Sequence, residues 1–203
     1  MLSRLTTPRR IQEFLDAVPY SDEHVYRSPR DVLRDRRAHC MDGALFAAAG
    51  LARIGHPPLI VDLAAVRDDD HVLAIFRVDG YLGAVAKSNT TTLRFREPIF
   101  RNLRELALSY FEFYYNVEHA KTLRSYSLPV DLRRFEGASW RTDAGAVDAI
   151  VAALEARTHR PLVSRAMIAR LSLVDRQIYE AGFLGANPHG LFRPAPRKTR
   201  ASR

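Results

Sequence analysis

Residues 41–52, MDGALFAAAGLA, constrain this chain more than any other stretch. Met41, Ala44, Leu45, Ala48, Leu51 and Ala52 recur at helical spacing, and Phe46, Ala47 and Ala49 fill the other faces. A helix that is apolar all round has to be enclosed by other elements, so this one is predicted to lie at the centre of a domain. Gly43 removes a side chain and lets another element approach closely, and Gly55 suits the position just past a helix end. Directly ahead of the helix stands Cys40, the only cysteine in the sequence.

The flanking segments define the fold class. Ile11, Phe14, Leu15 and Val18 predict a short helix over 8–18, and Ser28 with Pro29 supplies a second helix start. PPLIVDLAAV reads as a strand. HVLAIFRV and YLGAVAKSN flank Asp79-Gly80, the signature of a two-residue hairpin turn. From Glu97 onward the pattern reads as helical, with Leu103, Leu106, Tyr110 and Tyr114 on one stripe and further helices near 143–157 and 164–181. Helices, then an antiparallel sheet, then helices give an α+β class: a central helix carrying the cysteine, packed on a small sheet. The expected organisation is one domain over 1–192, with a core at about 28–96, a helical half over 97–192, and a basic, disordered tail over 193–203.

Charge argues against one obvious function. The chain carries +8, but five of those charges lie in the last eleven residues, which hold no acid, so the remainder carries +3. A solvated terminus accounts for this better than a specific nucleic-acid site does. No apolar run approaches the ~18 residues of a membrane span, and the first residues lack the apolar core of a signal peptide. A lone cysteine forms no intramolecular disulfide and fits a reducing compartment. The expected location is therefore the cytoplasm, with no membrane partner.

A cysteine nucleophile needs a route to thiolate, a base, and a group that orients the base. A helix N-terminus lowers a thiol pKa, and Cys40 stands where one begins. Among the seven histidines, His39 adjoins Cys40 but points elsewhere on a helix. His24, His56, His119, His159 and His189 fall in loops or on helix surfaces. His71 opens the first hairpin strand, a rigid position. A two-residue turn sets His71 opposite Ser88, and a longer turn sets it opposite Asn89. KSN thus brings Lys87, Ser88 and Asn89 to its side. Asn89 is the favoured orienting residue, with Ser88 as the alternative. Asp68, Asp69 and Asp70 with His39 and Cys40 match no zinc spacing, so neither metal nor cofactor is expected. Arg94, Arg96 and Glu97 just past the hairpin read as an exposed ion pair before a carboxylate anchor.

With these residues in place the chain resembles a family. The tract AHCMDGALFAAAGL, PLIVDL, DDDHVLAIF, GAVAKSN, LRFREP is similar to the transglutaminase-like and papain-like cysteine-nucleophile superfamily, and in particular to bacterial transglutaminase-like proteins of unassigned reaction. The resemblance covers about residues 28–96. It implies Cys40 as nucleophile and His71 as base, with Asn89 where the family more often has Asp, and Val72 where an aromatic is usual. The implied activity is thiol-dependent acyl transfer, or amide or peptide hydrolysis, on a peptide or amide substrate. Two further functions fit the same residues: a non-catalytic module that binds a peptide or protein in the same cleft, and a basic nucleic-acid-associated protein. Neither the substrate nor the oligomeric state is legible in the sequence.

Overall fold

The computed structural model describes residues 4–196. Three helices come first: α1 (Pro8–Asp16), α2 (Pro29–Asp35) and α3 (Cys40–Arg53). Thr7 and Ser28 cap the first two, and Ser28 forms a reciprocal capping box with Asp31. α3 is the enclosed helix that its composition demands: ten of its fourteen residues are buried. Gly55 follows it at φ 94°, as its position predicts.

Strands β1 (Leu59–Ala65), β2 (His71–Val78) and β3 (Tyr81–Val85) come next. Asp79 and Gly80 both take positive φ, 47° and 87°, and Val78 pairs with Tyr81, so the hairpin has the two-residue turn. The register runs without a bulge to Ala74–Val85 and stops there. The predicted pairing of His71 with Ser88 is therefore never reached. The cause is tertiary. Gln12 of α1, fully buried, donates to the Ala86 carbonyl and accepts from the Ala86 amide, at 2.9 and 3.0 Å. Lys87 turns the same way and donates to the carbonyls of Leu15 and Val18 at the end of α1. Its path runs over Gly43, where a Cβ would stand 2.1 Å from the Lys87 Cβ.

The helical expectation for 97–192 is corrected. β4 (Arg96–Phe100) continues the sheet, followed by α4 (Leu103–Leu108), β5 (Leu123–Ser127), β6 (Val130–Asp131), α5 (Val147–Glu155), β7 (His159–Pro161), α6 (Arg165–Ile168) and α7 (Arg176–Gly182). The antiparallel sheet runs β4-β3-β2-β1-β5-β7, with β6 also on β1. Pro98 lacks the amide that a helix interior needs and is tolerated because β4 is an edge strand. Leu106, Tyr110 and Tyr114 are all buried in one core, but α4 and a tight 3-10 turn over 111–113 present them in place of one long helix. The segment between α6 and α7 is drawn out where the buried Val174 donates to the His119 carbonyl. Gly182 ends α7 against Tyr115, whose hydroxyl a Cβ would meet at 1.8 Å.

The sheet separates two apolar cores. Ile60, Val72, Ala74 and Phe76 face α1, α2 and α3. Val61, Leu63, Leu73 and Ile75 face Leu106, Tyr110 and Tyr114. Among the described residues no helix is long and apolar enough to cross a membrane. Of the expected tail, Ala195 accepts from Arg67 at 2.9 Å, while residues 197–203 lie outside the described residues.

Candidate active site

Cys40 is the first residue of α3, and His39 is its N-cap. The His39 Nδ1 accepts from the Met41 amide at 3.2 Å, which requires that nitrogen to be unprotonated. Burial lowers the His39 pKa in the same sense. Asp42, fully buried, accepts from the amides of His39 and Arg27 at 3.2 and 2.8 Å and so ties the helix start to the preceding loop. The Cys40 thiol donates to the Asp70 carbonyl at 3.8 Å. It therefore rests against the turn that leads into β2.

The expected low thiol pKa is not what this environment produces. Burial pushes the Cys40 thiol up to about 12. The amides of Val72 and Met41 act against that shift, and the carboxylates of Asp69 and Asp42 add to it. In the resting protein the sulfur is a protonated thiol.

His71 is 4% exposed and lies in the core opposite α3, edge-on to Tyr110 and Tyr114. Its Nε2 is 2.8 Å from the Leu93 carbonyl. A carbonyl only accepts, so Nε2 carries the proton and Nδ1 keeps the lone pair. Burial, helped by the charge of Arg96, lowers the ring to about 4 against the pull of that carbonyl. The ring is neutral at ordinary pH.

Cys40, His71, Ser88 and Asn89 all line one cavity of about 70 Å³. Neither candidate orienting residue is bonded to the His71 Nε2, because the chain left β3 at Ala86. Ser88 bonds Thr90. Asn89 is bonded twice to the main chain of Asn187, accepting from its amide and donating to its carbonyl, each at 2.8 Å. Lys87 is committed to the end of α1 and does not join His71.

The Asn187 clasp anchors residues 187–192 as a strap. Gly190 lies against Tyr20 and Asn89, so a Cβ there would meet the Tyr20 ring at 2.9 Å. Gly190, Leu191 and Phe192 line both the small cavity and a larger one of about 770 Å³. Cys40 borders both. Tyr20 is held beside it by a bridge to Ala38.

The larger cavity holds groups that the sequence did not single out. His159, assigned above to a loop or helix surface, opens β7 and places Nε2 3.0 Å from the Asp62 carboxylate. Its Nδ1 donates to the Arg157 carbonyl at 2.9 Å. Burial raises Asp62 to about 6. An acid inside the apolar run LIVDLAAV was the available signal for Asp62; a main-chain acceptor such as Leu93 leaves no signal. Asp22, Glu23, Asp62, Asp69, Asp70 and Glu155 line this cavity, and no Lys or Arg is among its described lining residues. No protein-family profile matches the chain, and no curated protein matches it.

Proposed function

We propose that the chain is a thiol-dependent acyl-transfer or amide-hydrolysing enzyme with Cys40 as nucleophile and His71 as base. The observation that carries this reading is the shared cavity: the first residue of α3 and the first residue of β2 line it together, with the imidazole held as the Nε2–H tautomer. Both groups rest neutral, so the proton leaves the sulfur as the carbonyl carbon is attacked and passes to Nδ1 of His71. The imidazolium then protonates the leaving amine. Water or a second amine attacks the thioester and gives a proton to His71, which passes it to the departing Cys40 sulfur and so restores the neutral pair. In this reading main-chain amides at the start of α3 hold the developing oxyanion.

The substrate class is a peptide or carboxamide. A polyphosphate backbone is a poor occupant for a cavity lined by six carboxylates, which disfavours the nucleic-acid alternative. The proposed setting is the cytoplasm, where a single cysteine stays reduced. The elevated thiol and depressed imidazole pKa favour a second reading, a cleft that binds its ligand without covalent chemistry.

One experiment separates the two. Incubation with p-nitrophenyl acetate should release one equivalent of p-nitrophenol in a burst and acetylate the peptide containing Cys40. His71→Ala should suppress the burst at least tenfold. A folded wild-type protein with no acetylated Cys40 would leave the binding reading.

A further inference from the structure

The Leu93 carbonyl can hold His71 only if the turn that presents it is rigid, and Arg96 supplies that rigidity. The turn between β3 and β4 offers a run of carbonyls. Those of Thr92 and Phe95 accept from the Arg96 guanidinium, each at 3.0 Å. That of Arg94 accepts from the Tyr110 hydroxyl at 2.8 Å, and that of Thr90 from the Arg94 Nε at 3.2 Å. Leu93 presents the intervening carbonyl, and it meets Nε2 of His71. Arg96 is itself locked: its Nε donates to Ser109 Oγ at 3.0 Å, Nη2 to the Ser109 carbonyl at 3.2 Å, and its guanidinium lies 3.9 Å from the Tyr110 ring centroid. Tyr110 in turn stands edge-on to His71.

We infer that Arg96 is a positioning residue: by clamping the 92–95 turn between Ser109 and Tyr110 it aims the Leu93 carbonyl at His71 and keeps the imidazole proton on Nε2. The inference rests on the proposed role of His71, because only a base with a defined lone pair needs a defined tautomer. It replaces the orienting Asn89 or Ser88 side chain expected from the sequence with a main-chain acceptor braced by a planar cation. The geometry suits Arg and not Lys, since a fork spans several carbonyls at fixed angles and an ammonium does not. Among the described residues, the charged and titratable groups facing the ring are Arg96, Tyr110 and Tyr114, with Tyr20, Cys40, Tyr115 and the carboxylates of Asp68, Asp69 and Asp70 around the shared cavity.

The test reads the ring directly and needs no substrate. Full-length protein labelled with ¹⁵N-histidine is titrated while long-range ¹H–¹⁵N correlations report the tautomer of His71. Wild type should show the Nε2–H form alone at pH 7. Arg96→Met and Arg96→Lys, checked as folded by their dispersed spectra, should both show the second tautomer. Equal effects from Met and Lys assign the role to the fork and not to the charge. In the Met variant, which also loses the nearby cation, the His71 pKa should rise. If the Arg96 variants fail to fold, Tyr110→Phe, which removes one carbonyl clamp and keeps the ring, should still admit a measurable fraction of the second tautomer. An unchanged single tautomer in a folded Arg96→Met or Tyr110→Phe protein overturns the inference. Retention of the tautomer effect in a protein that p-nitrophenyl acetate does not acylate would instead remove the enzymatic reading and leave the positioning of His71 intact.

Discussion

Asn89 grips the backbone of Asn187 from both sides, donating to its carbonyl and accepting from its amide at 2.8 Å each, across 98 residues of sequence. This pair fastens the 187–192 strap along the walls of both cavities that border Cys40. The base of the strap is anchored separately, where Tyr179 and Phe183 pack on Tyr115 and Thr91 bonds the Gly182 carbonyl. The clasp is thus a contact whose loss would loosen the strap without undocking α7, beside the lesser hold of the Asn187 side chain on the Tyr20 carbonyl at 3.4 Å.

Asn89→Ala should therefore expose Cys40 more than it destabilises the protein. Loss of two partly buried hydrogen bonds costs about 1–3 kcal/mol locally. Carbamidomethylation of Cys40 by iodoacetamide should quicken about tenfold or more at constant pH, and the amides of Asn187 and Gly190 should exchange faster. Asn102→Ala, which removes the cap of α4 and touches no part of the strap, serves as the control. Equal alkylation rates in wild type and Asn89→Ala would show that the strap does not gate the sulfur.

Stability should depend on His71 in acid. The folded ring titrates near 4 against an ordinary 6.5, so between those values the unfolded chain holds a proton that the folded chain does not. Stability falls as pH drops through that window. Asp62 and Asp68, raised by burial to about 6 from 3.8, act the other way and gain stability over much of the same range. A variant isolates the histidine. His71→Gln keeps an N–H donor for Leu93 and cannot titrate. Urea denaturation at pH 7 and pH 4 should show the wild type losing about 3 kcal/mol relative to His71→Gln. A parallel pH dependence of the two proteins would mean that His71 is not buried as a neutral ring.

Gly43→Ala should be costly despite the helix-forming preference of alanine. The new Cβ would stand 2.1 Å from the Lys87 Cβ and 3.3 Å from its Cα, so main chain would have to move. Overpacking of this kind costs about 1–3 kcal/mol or more. The expected outcome is a lower Tm in thermal denaturation. A neutral Gly43→Ala would place the β3 exit farther from α3 than found here.

Gln12→Ala should lower stability by about 2–4 kcal/mol, because it strands the Ala86 amide and carbonyl in the core. The amide of Ala86 should lose its exchange protection. Persistence of that protection would indicate that β3 continues past Val85 without help from α1.

Much of the architecture was legible in local sequence. The enclosure of α3 follows from residues 44–52, its end from Gly55, the α2 cap from Ser28 and Pro29, and the hairpin itself from Asp79-Gly80, although its register stayed open between a two-residue and a longer turn until the structure showed Val78 opposite Tyr81. Each rests on periodicity or on the conformational preference of one or two residues, and both act within a few positions of the chain. The strands after Glu97 were hidden because β5, β6 and β7 have two to five residues each, too few to show a period, and are stabilised by partners distant in sequence. The site divides along the same line. The positions of Cys40 and His71 at the first residues of α3 and β2 were readable, because element starts have local signatures. The partner of His71 was not. Gln12 and Lys87 draw the chain away before Ser88 and Asn89 reach the ring, and a main-chain carbonyl, chemically the same at every residue, takes the position beside it. Sequence determined which side chains stand at the element ends; tertiary structure decided which of them meet, because that depends on contacts spanning 22 to 98 residues of chain.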